Sequence, residues 1–250
     1  MKLACASSAF DRALARGDLT QLEFLELSAR SAAADGVVLD AGHFPRTDAD
    51  YLAQLRKVAT DLGLDVAALR DDDFLKLDET AMQERLARAA AVGAPLLCVR
   101  LDSETAASWG EQLRPLSLAA RLAKAANVTL ALRNVPGSHA ADAQGLRHAA
   151  KDADSAWLRF GVESATLDDP VAIAQKLVLL WQEISEDAEA ALSRLTGTLL
   201  EFRGYLALDA HNGEATSASM ATAVQTYRVA LAHRLLAALG NDDPTEDLAH

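Results

Sequence analysis

The amino-acid sequence predicts an α/β fold, a single (β/α)8 barrel, and three observations carry that expectation. Apolar runs begin near Lys2, Gly36, Asp65, Pro95, Val128, Trp157, Leu177 and Gly204, at a spacing of roughly 29 residues, which is the length of one strand–helix unit. Runs such as Gly36–Asp40, Pro95–Leu101 and Val128–Arg133 are continuously apolar rather than alternating, as strands buried on both faces of a parallel sheet are. The chain has 250 residues, half of them hydrophobic, and so can fill a barrel core. Eight units close into a barrel, whereas the alternative, an open doubly wound sheet, is usually built from fewer.

The elements can be justified in order. The first strand starts at Lys2 and the first helix at Thr20, where Thr20 and Glu23 form a T-x-x-E capping box and Leu19 and Phe24 stand as a hydrophobic staple. After the Gly36–Asp40 strand, a helix is expected from Thr47, with Asp50 three residues on. It carries Leu52, Leu55, Val58, Ala59 and Leu62 on one face and stops at Gly63. A third helix runs from Asp78 to Gly93, with Met82 and Leu86 inward and Pro95 just beyond. Between Asp169 and Phe202 the pattern is ambiguous, since Val171–Trp181 reads either as one long helix or as a short helix followed by strand seven. No Gly/Ser-rich or single-charge stretch marks a linker, so residues 1–240 are expected to form the barrel domain. Residues 241–250 are charged and unpatterned, and are expected to form a disordered tail.

A net charge of −12 and a pI near 4.9 oppose binding to a nucleic-acid backbone or an anionic membrane, and no basic cluster offsets them. No apolar run is long enough to span a bilayer, and Met1–Phe10 is too short and polar for a signal peptide, so the cytoplasm is the expected compartment. The two cysteines, Cys5 and Cys98, lie in strand segments with no CxxC and no zinc-type spacing. Both are expected to be buried, reduced and unpaired.

A barrel of this kind carries its site at the carboxyl ends of the strands, where each apolar run turns polar. That rule selects Ser7 and Ser8, Asp40 and His43, Arg70 to Asp73, Arg100 and Asp102, Arg133 and Asn134, Glu163, Gln182 and Glu183, and Asp209, His211 and Asn212. Several carboxylates and two histidines at one rim suit general acid/base or divalent-metal chemistry. Helix capping competes for the same residues, and Asp71 to Asp73 and Asp168 are assigned to it. His139, His148 and His233 are expected on the surface. No phosphate loop, G-x-S-x-G elbow, H-E-x-x-H pair or G-x-G-x-x-G turn is present.

Three stretches resemble the xylose isomerase-like barrels, a group that includes sugar phosphate isomerases and epimerases and the endonuclease IV type of apurinic endonuclease. Ala34–Asp40 resembles the group's second strand, Val128–Asn134 its fifth, and Gly204–Asp209 its closing strand. The resemblance implies a divalent metal held by acids and histidines after strands five to eight. Here Arg133 stands where the fifth-strand Glu would be, Thr166 is near the place of a histidine, Trp181–Glu183 occupy another such place, and Asp209 is a shorter final acid. A guanidinium has no lone pair and stays charged, so Arg133 disfavours a metal, and no cofactor is expected. The expected activity is that of a sugar or sugar-phosphate isomerase or epimerase, with Glu163 and Asp209 as catalytic acids and bases. Asp40, His43, Arg100, Arg133, Asn134 and His211 would bind a small anionic or sugar-like ligand. The alternative is a metal-free binding or accessory protein on the same fold. A DNA-cutting role would need a His-rich metal cluster and a basic groove, which the chain lacks.

Overall fold

The computed structural model describes residues 1–193, 195, 202–210 and 212–240. Eight parallel strands run β1 (Lys2–Ala6), β2 (Gly36–Asp40), β3 (Asp65–Arg70), β4 (Leu96–Val99), β5 (Thr129–Leu132), β6 (Leu158–Glu163), β7 (Leu177–Glu183) and β8 (Tyr205–Asp209). They pair in sequence order, and β8 closes on β1 with Leu3 opposite Leu206 and Cys5 opposite Leu208. The (β/α)8 barrel is therefore closed. β4 and β5 are shorter than their apolar runs, which continue into loops at both ends, yet the N–H of Arg133 still donates to the Val99 carbonyl at 2.9 Å.

The outer layer is α1 (Asp11–Arg16), α2 (Gln21–Glu26), α3 (Ala49–Asp61), α4 (Glu79–Val92), α5 (Trp109–Ala126), α6 (Ala143–Ala153), α7 (Ala188–Ser193) and α8 (Ser217–Gly240). The capping box at Thr20 forms in full, with the Glu23 N–H donating to the Thr20 hydroxyl and the Glu23 carboxylate accepting from the Thr20 N–H. The expected start of α3 at Thr47 needs correcting by one residue. Asp48 is the cap, its carboxylate accepting from the Tyr51 N–H at 3.1 Å, because a carboxylate at that place satisfies the orphan donor. α4 is bounded by Asp78 and by Gly93 in the left-handed conformation, as its sequence signals.

The ambiguous segment resolves into a six-residue 3-10 turn, Val171–Lys176, followed by β7. The long-helix alternative fails, since Leu177–Glu183 pairs with both β6 and β8. Between β6 and β7 the barrel thus has only 3-10 turns, at Ser164–Thr166 and Val171–Lys176, and no α-helix. The expected tail, residues 241–250, lies outside the described residues.

Most of the core lies between the strands and the helices, where Leu, Phe and Ala side chains from both layers meet. Inside the barrel the composition changes. Ala4, Ala6, Ala68, Cys98, Ala131 and Ala207 leave room for one large ring, that of Trp181, which is 1% exposed. Gly161 belongs to this layer, since a Cβ there would sit 3.2 Å from that of Ala131. Cys5 and Cys98 are buried and unpaired. No helix among the described residues is long and apolar enough to cross a membrane.

Candidate active site

The strand ends converge on a cavity of about 570 Å³. Asp40 closes β2, Arg70 β3, Glu163 β6, Glu183 β7 and Asp209 β8, while Arg133 follows β5 directly; all six line it. The period of two along a strand explains the set: inward-facing Ala68, Trp181 and Ala207 each precede by two residues the charged group that ends the strand. The fold thus brings six charged side chains to one face. A larger groove of about 1200 Å³ lies on the flank between α6 and the Val171–Lys176 turn, and none of the strand-end acids lines it.

Two guanidinium groups organise the mouth. Arg133, nine-tenths buried, donates from Nη1 to Asp72 at 2.7 Å and from Nη2 to Glu163 at 2.5 Å. Arg70 donates from Nη2 to Asp72 at 2.8 Å, and its other nitrogens lie 3.5 Å from Asp40 and 4.0 Å from Asp209. Both guanidinium carbons sit over the Trp181 ring, at 5.1 and 5.8 Å from its centroid, so the indole is the floor on which they rest. Burial works against ionisation of Asp72, but the hydrogen bond from Arg70 and the charges of Arg133, Arg70 and Arg100 outweigh it and hold the carboxyl down at about 2.

Asp209 behaves in the opposite way. Burial pushes its carboxyl above the ordinary range, against the Ser8 hydroxyl that donates to it at 2.8 Å and the charge of Arg70. Two carboxylates a few side chains apart are therefore driven in opposite directions, a pattern that separates acid and base roles in active sites.

Asn134 acts on the backbone. Its Oδ1 accepts from the Glu163 N–H at 2.6 Å and its Nδ2 donates to the Thr166 hydroxyl at 2.9 Å, fixing the end of β6. Behind β1 and β2 a second chain of contacts runs from the Asp40 N–H to the Ser7 hydroxyl (2.9 Å), from Ser7 to His43 Nδ1 (2.9 Å) and from His43 Nε2 to Asp11 (2.8 Å). The Asp11 carboxylate can only accept, so Nε2 carries the hydrogen between them, and in the neutral ring Nδ1 is then the acceptor for the Ser7 hydroxyl. Ser7 is fully buried, which excludes it as an accessible nucleophile.

The rim expected from the sequence is one rim, with several assignments changed. Asp40, Arg133, Asn134, Glu163 and Asp209 line the cavity. His43, expected to contact a ligand, is not among the lining residues because both ring nitrogens are held by Ser7 and Asp11. Arg100 is also absent from the lining and instead reaches Asp72 at 3.8 Å. His211 lies outside the described residues. The capping role assigned to Asp72 is wrong, since its side chain is shared among the arginines. Asp168 does cap, but α6 rather than its own segment, by accepting from the Ala143 N–H at 2.9 Å. Arg70 and Trp181 are the residues that sequence reasoning undervalued, although Arg70 ends an apolar run as visibly as Asp40 does.

The donor set does not fit a divalent cation. Among the described residues no three of His, Cys, Asp and Glu come together as a metal site. Glu163 and Asp72 are already engaged by Arg133, and a fixed positive charge between them repels a second cation.

No protein-family model matches the chain, and no curated protein matches it in sequence. Solved structures do match in fold. One is a xylose isomerase-like TIM barrel/4-hydroxyphenylpyruvate dioxygenase fusion protein, with a TM-score of 0.73 and 18% identity over 99% of this chain; the chain spans 45% of that protein's length. Another is the probable 3-DHS dehydratase AsbF from Bacillus anthracis, involved in petrobactin synthesis, with a TM-score of 0.73 and 12% identity over 91% of this chain and 99% of that one. A third is a D-psicose 3-epimerase solved in the presence of D-fructose, with a TM-score of 0.71 and 13% identity over 94% and 99% of the two chains. At these identities the likeness is one of fold: the chain has the closed eight-strand architecture of the xylose isomerase-like barrels.

Proposed function

We propose that the barrel binds a small polyhydroxylated carbonyl compound at its mouth and transfers a proton at the carbon next to the carbonyl, the chemistry of an isomerase or epimerase. The observation that carries this reading is Asp209, a half-buried carboxyl raised by desolvation, bonded to Ser8 and facing Arg70 inside the cavity. A carboxylate of raised pKa is the stronger base, better matched to taking a proton from carbon. As Asp209 takes the proton, the electron pair of the broken C–H bond moves to the carbonyl oxygen. The guanidiniums of Arg70 and Arg133, held over Trp181, are placed to stabilise the oxyanion that forms. Return of that proton from Asp209 completes the transfer, and the Glu163 carboxylate, held by Arg133, is the second base at the mouth. Arg133 stands where the resembled family carries an acid, so on this reading the mouth is a metal site that has lost its donors. The reading places the protein in the cytoplasm, where its two buried thiols stay reduced.

The test is deuterium wash-in. Ketoses and aldoses incubated with the protein in heavy water are expected to gain deuterium next to the carbonyl, and Asp209→Asn should lower the rate by about 100-fold or more. Wash-in unchanged by Asp209→Asn would overturn the assignment. The pairing of Arg133 with two acids favours a second reading, a binding protein without catalysis, whose signature is ligand binding with no exchange.

A further inference from the structure

The inference concerns Asp72 and rests on the reading of the mouth as a ligand site. Three guanidiniums converge on this one carboxylate: Arg133 at 2.7 Å, Arg70 at 2.8 Å and Arg100 at 3.8 Å. Arg70 grips both carboxylate oxygens side-on, donating from Nη2 to Oδ2 at 2.8 Å and from Nε to Oδ1 at 3.3 Å, and Nη1 of Arg133 adds a second donor to Oδ1. That is a planar, bidentate carboxylate site, the geometry for which arginine is suited and lysine is not.

The protein fills this site with a residue that the fold does not hold in place. Arg70 ends β3 and Arg133 follows β5 directly, whereas Asp72 belongs to the loop between β3 and α4. Its neighbours are tied, Asp71 by its N–H to the Cys98 carbonyl and Asp73 by its N–H to the Asp71 side chain, but no backbone hydrogen bond of Asp72 is found among the described residues. Donors are also in excess. Nε of Arg133, Nε of Arg100 and Nε1 of Trp181 are buried with no hydrogen-bond acceptor among the described residues. Buried donors without acceptors are uncommon in native structures, and two of these three, on Arg133 and Trp181, belong to residues that line the cavity.

We propose that Asp72 is an internal stand-in for a ligand carboxylate: the mouth takes a small organic acid, of the sugar-acid type, whose carboxylate displaces Asp72 from Arg70, Arg100 and Arg133. The hydroxyls of such an acid would meet Asp40, Glu183 and Asp209 on the remaining walls of the cavity. The proposal makes binding a competition between two carboxylates for one set of arginines. Neutralising the internal competitor should then tighten the external one.

Titration calorimetry with acetate, glycolate and D-gluconate tests this, against sodium chloride at matched ionic strength and against D-glucose as the neutral counterpart of gluconate. The unmodified protein is expected to bind at least one of the three acids and not glucose. Asp72→Asn should bind that acid about tenfold more tightly, because a competing state is removed. Arg133→Gln should abolish binding; if that variant does not fold, Arg100→Gln, at the more exposed partner, should weaken it. No heat with any of the three acids up to 50-fold above millimolar affinity, roughly 50 mM, would overturn the proposal. So would binding by Asp72→Asn alone, which would make Asp72 a fixed strut, and so would a response to inorganic phosphate without one to the carboxylates. The outcomes also separate this idea from the proton-transfer reading. Deuterium wash-in on a neutral sugar without carboxylate binding removes only the present proposal, whereas carboxylate binding without wash-in removes only the other.

Discussion

Replacing Arg133 by Met is the most informative single perturbation, because it removes a charge and keeps a chain of similar length over Trp181. Breaking a fully buried ion pair costs ~3–5 kcal/mol, since the abandoned partner stays desolvated. Here Glu163 and Asp72 are 30% and 25% exposed, and Asp72 retains Arg70, so the cost belongs at the low end of that range. We expect a loss of about 3 kcal/mol, which for a domain of this size lowers Tm by roughly 6–12 °C. Urea unfolding at pH 7 gives the free energy, and the double variant Arg133→Met/Glu163→Gln should recover about 1–2 kcal/mol by removing one abandoned charge. The pH dependence has a defined sign. Asp72 is held at about 2, below its unfolded value, so its contribution is present above an unfolded pKa of about 4 and is lost as pH falls from there through 2. The Met variant should show a shallower acid loss across that window. A Tm within 2 °C of the unmodified protein, or a double variant less stable than the single one, would refute the account.

Asp209→Asn should raise stability at neutral pH, because a half-buried carboxyl with a raised pKa costs stability once it ionises. The gain should vanish in acid, where Asp209 is protonated in both states, and a variant less stable than its parent at pH 7 would contradict this. Burial pushes both Cys5 and Cys98 thiols up to about 12, so a thiol reagent should label neither in the native protein and both in urea; fast native labelling would argue against the closed barrel. After dialysis, elemental analysis of the unmodified protein should find no stoichiometric divalent metal, and Arg133→Glu, which adds an acid beside Glu163 and Asp72, is the variant expected to gain Mg²⁺ or Mn²⁺ affinity. Stoichiometric metal in the unmodified protein would overturn the argument from Arg133.

The fold was legible because its signals are local. The eight apolar runs each became a strand, and Thr20, Asp78 and Gly93 cap helices through chemistry that acts over three or four residues. The turn at Val171–Lys176 was not legible, because a short apolar segment carries no period long enough to separate a helix from a strand, and only pairing with β6 and β8 decides. The site was half legible. Polarity at strand ends selects Asp40, Arg133, Glu163 and Asp209 without structure, but it treats an aspartate in a loop as a cap. Asp72 meets Arg133 across 61 positions of sequence, and no local pattern encodes that contact. His43 shows the converse: its residue type suggests a ligand contact, while two tertiary hydrogen bonds place it in the supporting layer.

The short turn that stands between β6 and β7 in place of an α-helix has a consequence for how the barrel breathes. Over β2 and β3 the cover is α3, thirteen residues that bury Tyr51, Leu52, Leu55 and Ala59, whereas over β6 and β7 it is six residues that bury Ile173 and leave Val171 70% exposed. Both pairs carry a register shift, at Val37/Val38 in β2 and at Phe160/Gly161 in β6, so the cover is what distinguishes them. Little apolar area is lost when that cover lifts, so opening there costs less free energy than opening between β2 and β3 beneath α3. Amide hydrogens along Phe160–Glu163 should therefore exchange by sub-global opening, ahead of those in β2 and β3. The end of that seam is Glu163, so a lightly covered wall of the barrel also presents an acid to the cavity.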